Sequence, residues 1–308
     1  MGFRRLGDEN QLSGKQTYTR VIKEISQLLD NTELTKQLCN ENSWSGILIL
    51  DGKYVAIKDF ERKIPFLFGI DYMSHDLPHG QLCLAEDEMS FSLYFQAIKD
   101  LGYKLHIVVV DDRDGIKQAL NKVFPYARVQ LCHNHYLDNI RKILRVRTET
   151  TYQHFFNSLK LHVFKATNDE EVTAGLKHVR EKHAGKNMML WNILDEIERR
   201  RYDLFAYFHF ENCPNNTNLI ELYNSHLNGR LKTIKGFQSL KSAQRWLNAW
   251  MIRRRTKKFN DCDAKFKHLN KHCSLEFTIK KQAHWPIILT KLGIKKIKPY
   301  EKTNENIH

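Results

Sequence analysis

Two short apolar runs, Ile47-Leu48-Ile49-Leu50 and Ile107-Val108-Val109-Val110, are each followed directly by an aspartate, Asp51 and Asp111. Four aliphatic residues in a row, bounded by turn-forming residues, read as strands buried on both faces. Such strands demand a sheet that is covered on both sides. An aspartate at the end of each strand then stands at the sheet rim, where α/β proteins gather their functional side chains.

The surrounding pattern predicts a mixed sheet. Strands are expected at 46–50, 54–58, 66–71, 81–85, 105–110 and 127–131, with Asp51-Gly52 read as a hairpin turn between the first two. Phe91, Tyr94, Phe95, Ile98 and Leu101 recur at helical spacing, and Gly102 stops the helix. A second helix is expected from Asp114 to Val123, ended by Pro125. Antiparallel strands followed by alternating helices and strands predict an α/β fold whose mixed sheet is flanked by helices. Residues 135–212 contain no proline and are rich in charged residues, Leu and Phe, which predicts an all-helical insertion. The break at Cys213-Pro214-Asn215-Asn216 precedes a helix expected over 218–232. The expected organisation is a helical remnant or linker at 1–43, with Val21 to Leu38 at near-helical spacing, and a core at 44–140 and 214–250. The insertion occupies 141–213, and a basic, peripheral C-terminal region 251–308.

Lys and Arg number 49 against 35 Asp and Glu, a net charge of +14 that calls for a polyanionic partner, nucleic acid first. A hydrophobic content of 42% supports a real core and excludes global disorder. No apolar run approaches the roughly 18 residues of a membrane span. The start, Met1-Gly2-Phe3-Arg4-Arg5, has no apolar signal segment, so the six cysteines are expected as free thiols. The expected location is the cytoplasm or nucleoid of a prokaryote, or the nucleus of a eukaryote.

A third carboxylate, Glu221, falls at the start of the 218–232 helix. Two strand-end aspartates and a helix-borne glutamate meet the minimum ligand count for a pair of Mg²⁺ ions acting on a phosphodiester. Asp112 and Asp114 compete with Asp111, and strand-end aspartates also serve as turn and cap residues. Asn218 and Glu221 read equally as a helix cap with its capping-box partner. Against that stands the row Asn218, Glu221, Asn224, which shares one helix face. Cys132-His133-Asn134-His135 carries a C-x-x-H spacing, half of a zinc site. Cys262, His268, His272 and Cys273 offer only a weak second half, so zinc is not expected and a local hydrogen-bonded brace is. Candidate DNA-backbone contacts are Arg141, Lys142, Arg145 and Arg147, then Arg253, Arg254, Arg255, Lys257 and Lys258. Trp246 and Trp250, at i and i+4, read as core packing before base stacking.

Together, Leu50-Asp51-Gly52-Lys53-Tyr54-Val55, Val109-Val110-Asp111 with Gly115-Ile116, the Phe124–His135 segment and Thr217-Asn218-Leu219-Ile220-Glu221-Leu222-Tyr223-Asn224 resemble DDE transposases of the IS256/Mutator type over roughly 45–250. The match is gapless at Asp111, which the resemblance favours over Asp112. It departs from the family at Asp112-Arg113. The resemblance implies an RNase H-like core interrupted by a helical insertion, with Asp51, Asp111 and Glu221 as catalytic, metal-holding residues. It implies two Mg²⁺ ions, replaceable by Mn²⁺, cleavage at transposon ends and strand transfer into target DNA. Its partners would be double-stranded terminal inverted repeats and target DNA, bound by a homodimer or higher oligomer. Rival readings are a catalytically inactive domesticated transposase that binds DNA, and an RNase H-like nuclease.

Overall fold

The computed structural model describes Lys23, residues 30–234 and residues 236–301. The stretch 21–29 of the expected first helix lies outside the described residues, apart from Lys23. Helix α1 (Asn31–Leu38) begins where the Asp30 side chain accepts from the Thr32 N–H. Strands β1 (Ile47–Val55), β2 (Ile64–Asp71) and β3 (Gly80–Leu82) form an antiparallel meander. After α2 (Glu88–Asp100), β4 (Ile107–Val110) lies parallel to β1. After α3 (Ile116–Val123), β5 (Arg128–Leu131) lies parallel to β4. The order β3-β2-β1-β4-β5, three antiparallel strands extended by two parallel ones, is the RNase H-like arrangement.

One expectation is corrected here. Asp51-Gly52 makes no hairpin: β1 runs through both, pairing Asp51 with Phe68 and Gly52 with Leu67. The turn comes after Val55 instead. An Asp-Gly pair favours a tight turn only where the flanking strands can pair with each other. Here β1 has a better partner in the wholly buried β2.

Side-chain alternation along the strands divides the core. Leu48, Leu50, Val108 and Val110 face α2 and α3, meeting Phe91, Phe95, Ile98 and Leu120. The same apolar cluster continues into the helical insertion: α4 (His133–Ile143), α5 (Gln153–His162), α6 (Asp169–Val179), a π-helical turn at Arg180–Ala184, α7 (Met188–Arg199) and the short α8 (Arg201–Leu204). Ile47, Ile49, Ile107 and Val109 face the other way, towards α9 (Asn218–Ile234) and α10 (Leu240–Thr256). Trp250 packs edge-on against Phe68 in this second core, and Trp246 packs against Phe237. No helix among the described residues is long and apolar enough to cross a membrane.

The C-terminal region is not wholly peripheral. Leu34 and Leu38 of α1 share a third core with Ile252 of α10, Leu275 of α11 (Ser274–Thr278) and Leu289 of α12 (Ile287–Lys291). Arg255, expected as a DNA contact, is fully buried. Its Nε and Nη2 each lie 2.8 Å from an oxygen of the equally buried Asp76, and Nη1 donates to Asn31 and Thr35 of α1. Arg255 falls on the apolar face of α10 with Leu247 and Met251, and burial there demands a partner. Burial alone would raise the Asp76 carboxyl, but the Arg255 charge holds it below the usual aspartate range. Replacing Arg255 with Met strands that carboxylate, with an expected loss of about 3–5 kcal/mol in urea unfolding at neutral pH. Because the folded carboxyl is depressed, the contribution is present above the unfolded pKa of about 3.9 and disappears as pH falls below it.

Candidate active site

The β1–β4 pairing sets Ile47 against Ile107, Leu48 against Val108 and Ile49 against Val109. The same offset carried two residues further sets Asp51 beside Asp111. Both side chains then share the face of Ile49 and Val109, the face on which α9 lies. The third strand-end aspartate, Asp71, pairs with Leu48 near the start of β1. It is fully buried and held by Ser45, Ser74 and Tyr103, so it belongs to the scaffold.

Helix α9 delivers the third acid. Ile220, Tyr223 and Leu227 pack into the second core, which turns Glu221 and Asn224 towards the strand ends. Asn224 Nδ2 donates to Asp51 Oδ2 at 2.5 Å. The Gly52 N–H donates to Asp51 Oδ1 at 2.8 Å. His135 stands between the other two carboxylates, its Nδ1 2.6 Å from Asp111 Oδ1 and its Nε2 3.8 Å from Glu221 Oε1. Asn218 accepts from Asn134 Nδ2 at 2.8 Å, which ties α9 to α4. Asp112 is diverted: both Nη atoms of Arg200 hold its carboxylate.

The C-x-x-H pair forms the hinge pin of this arrangement. Cys132 precedes the first residue of α4, and its Sγ lies 3.3 Å from His135 Nδ1, one helical turn on. The Thr217 N–H and hydroxyl reach the same sulfur at 3.4 and 3.2 Å. The hydroxyl also lies 3.3 Å from Glu221 Oε1. The His133 N–H donates to Asn215 O at 2.8 Å, closing the joint between β5 and the start of α9. Asp111, Cys132 and His135 offer ligand atoms within 4.8 Å of one another, the only such group among the described residues. Elsewhere, His272 is engaged by Glu276 at 2.6 Å.

The electrostatics favour a cation here. Burial, then the neighbouring Asp111 charge, pushes the Asp51 carboxyl up to about 6. Contact with Asp111, then with Cys132, pushes His135 up to about 10, so it is an imidazolium at neutral pH. Burial would raise the Cys132 thiol, but hydrogen bonds from His135 and Thr217 bring it below its usual value. Beside Asp51, Asn224 Oδ1 is buried without a hydrogen-bond partner, while Asp111 Oδ1 is met by His135 Nδ1 at 2.6 Å. A buried, unpartnered amide oxygen beside two strand-end carboxylates fits a hard, oxygen-seeking cation such as Mg²⁺.

A cleft of about 340 Å³ opens beside Glu221, lined by Asn134, His135, Asp138, Arg141 and Lys160. Arg141 lies 2.8 Å from Asp138 and stacks near Phe156, while Lys142 pairs with Asp138 at 3.0 Å. Arg145 and Arg147 are exposed on the turn after α4, and Arg253, Lys257 and Lys258 are exposed at the end of α10. Arg254 stacks on Tyr223 at 4.3 Å, beneath α9. Sequence reasoning gave Thr217 no role of its own, since it sits in no periodic pattern.

The profile of the family described as "Transposase, Mutator family" matches residues 79–260. The chain belongs to the Mutator family of transposases. It is 25% identical over 262 residues to the transposase for insertion sequence element IS256 in transposon Tn4001 of Staphylococcus aureus, and equally to that of Enterococcus faecalis. Those alignments cover 79% of this chain and 63% of each relative, so the chain spans under two thirds of their length. Among solved structures, a simian T-cell lymphotropic virus intasome is similar over 43% of this chain and 47% of its own, at 13% identity and a TM-score of 0.25. The HTLV-2 integrase catalytic core domain in complex with magnesium, trimeric form, covers 49% of this chain and 96% of its own, at 15% identity and a TM-score of 0.25. Likeness at that level carries no argument about chemistry, which for this Mutator family member rests on its own side chains.

Replacing Thr217 with Val removes the hydroxyl contacts to Cys132 and Glu221 while keeping the shape. The expected loss is about 1 kcal/mol of unfolding free energy, read from denaturant melts.

Proposed function

We propose that the chain is a DDE transposase that cleaves double-stranded DNA at transposon ends and joins the freed ends to target DNA, in a Mg²⁺-dependent reaction. The observation that carries this reading is the meeting of Asp51, Asp111 and Glu221 through Asn224 and His135. Family membership supports it. Asp51, Asp111 and Glu221 would hold a pair of Mg²⁺ ions, for which Mn²⁺ would substitute. Such a pair, when bound, makes a water or a 3′-hydroxyl a competent nucleophile and stabilises the leaving oxygen.

The chain's own residues do the rest. Asn224 and the Gly52 N–H fix both oxygens of Asp51, so its orientation is set before any cation arrives. Thr217 and Cys132 lock the base of α9, which holds Glu221 at a constant height above the strands. Arg141 and Lys160, in the cleft beside Glu221, would meet phosphates of the strand being cut. The exposed Arg145, Arg147, Arg253, Lys257 and Lys258 would hold the duplex backbone, and a homodimer or larger assembly would pair the two transposon ends. Arg255 has no part in that surface.

The test is cleavage of a duplex carrying the inverted repeats that flank this reading frame. Wild-type protein with Mg²⁺ or Mn²⁺ is expected to nick at the repeat boundary, and EDTA to abolish it. Asp51→Asn, Asp111→Asn and Glu221→Gln are each expected to lose at least about a hundredfold in rate, as residues that act as a unit do, with native circular dichroism. Asp112→Asn is expected to keep most activity. Loss in Asp112→Asn with retention in Asp111→Asn would refute the assignment. For DNA affinity, Arg141→Ala and Arg147→Ala are each expected to reduce the slope of log K against log salt by about one.

A further inference from the structure

We propose that the cleft between the end of α10 and the 293–301 segment holds the phosphate backbone of a DNA duplex, at a place separate from the pocket of Asp51, Asp111 and Glu221. The inference rests on the reading above only in taking DNA as the polyanion. The cleft, of about 460 Å³, is walled by Arg253 and Lys258 on one side and by Lys295, Lys296 and Lys298 on the other. All five are exposed, and among the described residues none of their side chains has an ion pair. Glu276 lines the same cleft but is already engaged: His272 Nδ1 lies 2.6 Å from its Oε2, and the Cys273 N–H donates to its Oε1 at 3.1 Å. Like charges facing one another across a concavity repel unless a polyanion comes between them.

The segment that carries the three lysines is fixed, so the charges are placed before any DNA arrives. Gly293 ends α12 in the left-handed region (φ 79°), and the Ile294 N–H donates to Leu289 O at 2.9 Å. Ile294 and Ile297 then turn into the third core, which leaves Lys295, Lys296 and Lys298 facing outward. Tyr300 closes the segment. Its ring centroid lies 4.7 Å from that of Phe277 and 4.8 Å from that of His272, and its N–H donates to Glu276 O at 2.7 Å. The opposite wall is anchored by Arg255, whose partner Asp76 also accepts from Ser274, next to Cys273. Asp71, whose N–H donates to Asp76 O, pairs with Leu48, three residues before Asp51 on β1. Three strand residues span about 10 Å, so the cleft stands towards the start of β1, away from the rim that carries Asp51 and Asp111. It shares no residue with the cleft beside Glu221. Backbone contacts at such a place position a duplex without entering the reaction.

The experiment is fluorescence anisotropy of the full chain on a labelled duplex carrying the flanking inverted repeat, in EDTA, over a salt series. Lys295→Gln, Lys296→Gln and Lys298→Gln together are expected to weaken binding and to lower the slope of log K against log salt by about two to three. Lys177→Gln, Lys182→Gln and Lys186→Gln together, exposed on the insertion, remove the same charge and are expected to change the slope by less than about one. Acetylation of the unaltered protein by sulfo-NHS acetate, read by mass spectrometry, is expected to lose its labelling of Lys295, Lys296 and Lys298 when duplex is bound. Equal slopes for the two triple variants, or full labelling of the three lysines on bound duplex, overturns the role of the cleft and leaves the proposed function standing. No duplex binding by the wild type, with or without Mg²⁺, overturns both. Should the first triple variant fail to fold, the acetylation pattern decides alone.

Discussion

Parallel pairing of β1 and β4 forces two negative charges to stand side by side, and the rest of the site answers that repulsion. A one-residue slip of β4 would turn Asp111 to the other face, among Phe91 and Leu120, so the register and the charge pair are inseparable. The cost is visible in the Asp51 carboxyl, pushed up to about 6 by burial and by Asp111. Two dipoles, from Asn224 and the Gly52 N–H, and one cation, His135, offset it. The imidazolium lies where positive charge is most needed, between Asp111 and Glu221. That is a site organised for cations before any cation is bound.

The C-x-x-H spacing makes sense in that light. Residues three apart on a helix share a face, so Cys132 at the lip of α4 and His135 one turn later point to the same place. Cysteine accepts from His135 and from both donors of Thr217, while the ring nitrogens reach the carboxylates. The pair thereby joins β5, α4 and the base of α9. Each of these elements arrives from a distant part of the chain, and a helix-borne glutamate is only as well placed as the joint at its first turn.

Much of this was legible in the residues, and the failures have physical causes. The apolar runs revealed β1 and β4 because both are buried on two faces, and the aspartate that ends each run marked the sheet rim; that both lie on one side follows only from the β1–β4 register. Asp51-Gly52 misled because turn propensity is local, whereas the pairing of β1 with β2 is not. Arg255 misled because a run of Arg and Lys looks alike on either face. The spacing Leu247, Met251, Arg255 held the signal, since a charge in phase with an apolar stripe must find a buried partner, and Asp76 lies 179 residues away.

The helical insertion is bound to the sheet by more than its two connections. Its apolar residues belong to the same cluster as Leu50 and Val110. The wholly buried Gln130 on β5 donates to Leu204 O and accepts from the Tyr207 N–H, and His133 bonds the same Leu204 carbonyl. Arg200 grips Asp112, one residue beyond the proposed ligand Asp111, and Lys117 reaches Asp203 at 2.7 Å. Satisfied buried polar groups are costly to separate, so the insertion and the strand ends behave as one body. The approach to Glu221 is therefore set by the α4–α5 cleft as it stands. Its Arg141 and Lys160 come from the helices that begin the insertion, which means that one packed unit orients the carboxylates and the basic groups facing them.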